Sequence, residues 1–272
     1  MKTVLVVVAH ADDMEFMAGG TVYRFAVEKG YPVYELILTD NRRGSCKLEP
    51  GEVVERSKKE ATEAGKILGL KEVRFYGFPD GELEDVPRKV VRDIIIDMVR
   101  EVKANLVMSW DPFAPGEDHP DHRVTAMATY EACSFCSNPN FGTKGLHPLH
   151  FVAEAMWFAK KPMGEQLIVD ISGEPLEKKI EALLKHETQM ELTFDSLLFE
   201  AKVSGVSLPG LEGISRDQRN LLIANGIRGY TEEVGKKANF SNAEQFRYEK
   251  FGYLEMILGQ EVCTPDFPLI LR

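Results

Sequence analysis

The chain is poor in cysteine, with Cys46, Cys133, Cys136 and Cys263 the only four in 272 residues. Cys133-Ser-Phe-Cys136 has redox or zinc spacing, but no second pair accompanies it, and it falls in or just past a helical pattern. It reads as plain buried thiols rather than as a metal or redox site. Long apolar runs are absent: no window approaches ~18 consecutive apolar residues, so no membrane span is expected. Positive charge is in deficit, with 33 Lys and Arg against 43 Asp and Glu, a formal balance of −10. That argues against nucleic acid or an anionic membrane as partner, both of which need clustered cations. A small anionic ligand held by a few local arginines is still allowed. The start of the chain lacks the features of a signal peptide. Only Lys2 precedes a short apolar run, and His10-Ala11-Asp12-Asp13 stands where a cleavage site would lie, so the expected compartment is the cytoplasm. No G-x-G-x-x-G follows a strand, which leaves little for a nucleotide-binding module. Repeats and low-complexity linkers are missing as well.

What is present is an alternation of strand and helix. Thr3–Ala9, Tyr31–Leu38, Glu72–Tyr76 and Asn105–Trp110 read as buried strands, with helices expected over Gly19–Lys29, Gly51–Leu68 and Pro87–Lys103. This is the rhythm of an α/β fold with a mostly parallel sheet flanked by helices. Further on, His150–Ala159 and Gln166–Ile171 read as strands, and Glu174–Leu192 and Ala243–Leu258 as helices. Residues 193–240, punctuated by glycine, are expected to mix short helices and loops. With no boundary visible, a single domain over 1–272 is expected, with a core over 1–190 and a C-terminal embellishment over 191–272. Three long loops, Thr39–Pro50, Gly77–Pro87 and Asp111–Asp118, follow strands and should converge at one sheet edge.

Two clusters carry the chemistry. His10-Ala11-Asp12-Asp13-Met14-Glu15 follows the first strand, and Asp118-His119-Pro120-Asp121-His122-Arg123 follows the fourth and opens a helical pattern. Singly, such residues serve as helix caps or solvated pairs. Together, at strand ends that share an edge, they describe a site. His10, Asp13 and His122 form a His/Asp/His set able to hold Zn2+ with a position left for water. Asp12 is then free beside the metal as general base. His119 can polarise the carbonyl, stabilise the oxyanion or protonate the leaving group. A charged His119 at a helix N-terminus would need a carboxylate near it, and Asp121 and Asp111 are the candidates. Two histidines and a carboxylate also suit a non-haem iron oxygenase; the spare Asp12 favours hydrolysis.

These residues resemble the two signatures of the PIG-L/LmbE-like zinc-dependent N-acetylglucosaminyl deacetylases, in the same order and similarly far apart. The likeness extends over roughly residues 1–190, through Gly19-Gly20, Thr39-Asp40 and Phe78-Pro79-Asp80-Gly81. It implies a Rossmann-like fold and a zinc-dependent hydrolase that removes an N-acyl group, N-acetyl foremost, from an amino sugar or amino-sugar conjugate. A zinc amidase acting on a non-sugar amide or a mycothiol-type conjugate is the alternative. Carried over by motif, His10, Asp13 and His122 would bind zinc, Asp12 would be the base and His119 the oxyanion or acid residue. Arg56 and Glu60 match a pattern on the second helix, and Asp80 an acidic loop residue that contacts the sugar. The chain departs from the signature at Ala11, where proline is usual, and at Met14, which displaces the glutamate to Glu15.

Substrate contacts are expected from Arg43, in the basic turn Asn41-Arg42-Arg43-Gly44, and from Arg56, Asp80 and Asp111. Trp110 and Phe113 could stack on a sugar or simply close the core. Lys160 is expected to be solvated. The expected partner is a small-molecule glycosyl substrate, and a homo-oligomer is left open.

Overall fold

The computed structural model describes all residues except 165, 212 and 268–272; the last five residues of the expected embellishment therefore lie outside the described residues. Seven strands form one sheet in the order β3-β2-β1-β4-β5-β7-β6. Strands β1 (Val4–Val8), β2 (Val33–Thr39), β3 (Glu72–Phe78), β4 (Leu106–Trp110) and β5 (Glu154–Phe158) are parallel neighbours. The valine run of β1 is buried on both faces, as a central parallel strand requires. Strand order reverses between β1 and β4, so the crevice beyond their carboxyl ends is where this topology places a ligand.

Helices cover both faces. α1 (Asp13–Tyr23) starts six residues before the expected Gly19 and is nearly all buried. Its first turn is not amphipathic, which hid it from periodicity. Gly19 and Gly20 let it pack closely: a Cβ on Gly20 would lie 2.8 Å from Ile171. α2 (Pro50–Leu68) has proline in its first turn and left-handed Gly69 as its stop. α3 (Arg88–Val102) and α4 (Pro120–Phe135) pack on the other face.

The second half differs from expectation. The helix expected over Glu174–Leu192 is two, α5 (Glu174–Leu183) and α6 (Glu187–Val203), because the chain turns at His186 to bury that side chain against Glu15. Most of 193–240 is helix, not loop: α6 continues and α7 (Arg216–Lys236) opens with a Ser215/Gln218 capping box. Ala243–Lys250 is not helical but strand β7, antiparallel between β5 and β6 (Gln166–Asp170), followed only by the short α8 (Leu254–Leu258). Thus residues from the 191–272 segment enter the sheet itself. Among the described residues no helix is long and apolar enough to cross a membrane.

Candidate active site

The backbone turn after β1 and the start of α4 bring three side chains to one point. His10 Nδ1 lies 3.0 Å from His122 Nε2, and Asp13 Oδ1 lies 3.1 Å from that same nitrogen. The second oxygen of Asp13 is 3.8 Å from His10 Nδ1. Four ligands arranged tetrahedrally about zinc at ~2.05 Å stand about 3.3 Å apart; the His10–His122 and Asp13–His122 spacings fit that, while the 3.8 Å spacing is wider and involves the other Asp13 oxygen. Without an ion, the carboxylates around these rings favour positive charge here. Burial alone would lower the His10 and His122 pKa values, yet neighbouring carboxylates push His10 well above the usual range and His122 up to about 9. Burial would raise Asp13, but the two imidazoles hold it far below the usual carboxylate range. Facing imidazoles ringed by carboxylates make a place for a cation.

The surrounding shell fixes each donor. Asp13 Oδ2 accepts from the Ala9 and His10 amides and from Trp110 Nε1, at 3.1, 3.0 and 3.0 Å, which leaves Oδ1 to face His122. Glu117 Oε1 sits 3.0 Å from His122 Nδ1, and Asp80 Oδ1 3.1 Å from His10 Nε2. Carboxylates behind imidazoles in this way set the tautomer and ring orientation of metal ligands. Trp110 stacks on the His122 ring at 4.1 Å and is 4 % exposed, so it braces the site rather than offering a face to a sugar. Two sets of donor atoms among the described residues are compact enough for one ion: the ring nitrogens of His10, His119 and His122, and His10 with the carboxylates of Asp80 and Asp121.

Asp12 and His119 flank this point and line a cavity of about 640 Å³. Burial first, and then the charge of Asp13, raise the Asp12 pKa to about 6, with His186 and His10 opposing. His119 Nδ1 accepts the Asp121 amide at the N-terminus of α4, at 3.2 Å. The free Nε2 therefore carries the proton, and burial together with His10 and His122 lowers the pKa. The ring is a neutral donor and needs no counter-carboxylate. Asp121 accordingly serves elsewhere than expected: it accepts the Gly81 and Leu83 amides and faces His10 Nε2 at 3.4 Å.

The expected substrate contacts divide. Arg43 and Asp80 line the cavity, although the Asp80 carboxylate is engaged by His10 and by the Arg43 amide. Arg56 does not line it; it pairs with Glu52 one turn away on α2. Asp111 is also a correction: its carboxylate takes a two-pronged bond from Arg247 of β7, both at 2.9 Å, outside this cavity. Of the three long loops, the first two reach the cavity, whereas Asp111–Asp118 contributes through Glu117 behind His122. Lys160 borders the cavity and is exposed, as expected, while its ammonium pairs with Glu117 and Asp118.

Sequence reasoning missed one wall entirely. Gln189, Leu192 and Thr193 of α6 line the cavity. Their i, i+3, i+4 spacing on one helical face was the available signal. Glu60 fixes this wall by accepting from the Thr188 amide and hydroxyl at the start of α6. The Cys133 and Cys136 thiols are buried and free, with pKa values pushed up by that burial.

The profile of PIG-L, described as GlcNAc-PI de-N-acetylase, matches residues 5–133. The chain is 33% identical over 195 residues to diacetylchitobiose deacetylase of Thermococcus kodakarensis, covering 70% of each chain. It is 34% identical over 132 residues to 4-oxalmesaconate hydratase of Pseudomonas putida, covering 44% of this chain and 48% of that one. Among solved structures it is similar to N,N'-diacetylchitobiose deacetylase from Pyrococcus horikoshii, with a TM-score of 0.74 and 25% identity over 92% of this chain and 84% of that one.

Proposed function

Because this chain belongs to the PIG-L family, we propose that it is a metal-dependent hydrolase removing the N-acetyl group of an amino sugar or a short amino-sugar conjugate. The observation that carries this is the meeting of His10, Asp13 and His122 within 3.0–3.8 Å of one another at the base of a cavity that also holds Asp12 and His119. In this reading His10, Asp13 and His122 hold Zn2+. When bound, such an ion acidifies a water and polarises a carbonyl oxygen.

The rest of the reaction falls to the chain's own side chains. Asp12 takes a proton from the attacking water and passes it to the departing amine nitrogen, a transfer that suits a carboxylate whose pKa is raised toward neutrality. His119 donates its Nε2 proton to the oxygen that becomes negative as the tetrahedral centre forms. Trp110, Glu117, Asp80 and Asp121 hold the ligands in place. Arg43 borders the cavity on the substrate side. The reaction is expected in the cytoplasm.

The hydratase relative gives a second reading, in which water adds to a carbon–carbon double bond. That match spans under half of each chain, and the deacetylase likeness extends further. The test is an assay of amine released from N-acetylglucosamine, N,N'-diacetylchitobiose and glycosyl conjugates, with zinc or iron added, beside loss of absorbance from an unsaturated tricarboxylic acid. Zinc-dependent amine release supports the proposal. Hydration without amine release overturns it.

A further inference from the structure

The turn that carries His10, Asp12 and Asp13 satisfies its backbone partly from within itself and partly from the end of β2. The Ala9 and His10 amides go to Asp13 Oδ2, and the Ala9 carbonyl accepts the Thr39 amide and hydroxyl, at 3.1 and 2.8 Å. The Ala11 amide turns to the same segment. It donates to Asn41 Oδ1, 3.2 Å away and 30 positions along the chain. Asn41 is fully buried and holds a φ of +58°, a left-handed conformation that few residues other than glycine adopt readily.

Ala11 stands between His10 and Asp12 in this turn. A proline ring would fix φ there and carry no amide proton. Alanine leaves φ free and brings a buried N–H that must find a partner, since Ala11 is only 1 % exposed. Asn41 answers both needs. The acceptor it offers both satisfies the amide and fixes the turn. Its left-handed backbone lies at the end of β2, one strand away from the turn it supports.

We propose that Asn41 is a positioning residue: its side-chain carbonyl, by holding the Ala11 amide, is the restraint that sets His10, Asp12 and Asp13 relative to one another. The inference rests on the roles proposed above for those three residues. It differs from mere satisfaction of a stray amide in what it predicts for the metal.

The test uses the whole chain carrying Asn41→Gly, because glycine adopts a φ of +58° without strain. Zinc affinity is read by competition with a chromophoric chelator, along with kcat and KM for N,N'-diacetylchitobiose and the melting temperature without metal. N41G is expected to weaken zinc binding by roughly 10–100-fold, as the loss of outer supports does. kcat should fall about tenfold or more through misplacement of Asp12, with KM unchanged within about threefold. Ala11→Pro added to N41G should restore zinc affinity to within about threefold of the parent, because the ring both fixes φ and removes the unpaired amide. An N41G chain that binds zinc and turns over like the parent overturns the inference, as does a double variant no better than N41G. Should N41G melt before assay, the Ala11 amide of the parent is read by hydrogen exchange: slow exchange supports the clamp, and exchange at the rate of an open loop overturns it. A parent chain that binds zinc but releases no amine would instead be a failure of the hydrolase reading, with the affinity comparison still deciding the clamp.

Discussion

At the scale of single residues, Asp12 and Asp13 are adjacent and chemically alike, yet their surroundings separate them. Asp13 is held by three donors and faces two imidazoles, whereas no side-chain donor engages Asp12 among the described residues. Asp12→Asn should therefore keep the metal and lose about 10²–10⁴-fold in kcat, the range of a positioned general base. Metal content by mass spectrometry, run beside the amine assay, checks this; near-normal turnover in the Asp12→Asn protein would remove the assignment. The Trp110 indole proton is directed at Asp13 Oδ2. Trp110→Phe keeps the ring under His122 and deletes that proton, so zinc affinity should drop by roughly 10–100-fold while the fold persists. Unchanged affinity would mean that the two backbone amides suffice to orient Asp13.

At the scale of elements, much of the site was legible because β1 and β4 end in motifs whose residue types have few other uses together. The strands themselves were readable as continuous apolar runs between turn residues. What was illegible had long-range causes. Strand β7 buries Glu244 and Gln245 in its first half, and a buried charge in a strand has no local signature. Glu244 is satisfied by Lys179 at 2.6 Å and by the Gly20 and Thr21 amides, all far away in sequence. Arg56 and Asp111 read as substrate contacts in the sequence because their partners, Glu52 and Arg247, carry no signal there. Arg56→Ala should leave KM within about twofold, since an exposed pair on a helix contributes only ~0.3–0.5 kcal/mol and does not touch the cavity. Arg247→Ala is different: it leaves the Asp111 carboxylate buried without its two-pronged partner, and a loss of roughly 3 kcal/mol in unfolding free energy is expected. Chemical denaturation measures the stability of both variants, beside KM for the first; equal stability of the Arg247 variant and the parent would show that Asp111 finds another donor.

At the scale of the whole molecule, the fold is a parallel sheet that delivers two separated motifs to one edge, extended by antiparallel strands and closed on one side by α6. The motifs announced the chemistry, and the periodicity announced the layers. The α6 wall and its anchor at Glu60 were hidden because α6 follows a break at His186 that no proline or glycine marks. Specificity should lie there, on the face shared by Gln189 and Thr193. A bound ion that joins β1, α1 and α4 should also stabilise the whole molecule, by about 4 kcal/mol when free zinc is a thousandfold above its dissociation constant. Melting temperature with and without chelator reads that linkage, and an identical value in both would argue that the site binds no metal.

The most direct test of the central claim is amine release from N,N'-diacetylchitobiose by the same sample before stripping with chelator, after stripping, and after adding back one equivalent of zinc. Activity, its loss and its return are expected. Activity that survives complete removal of metal would contradict it.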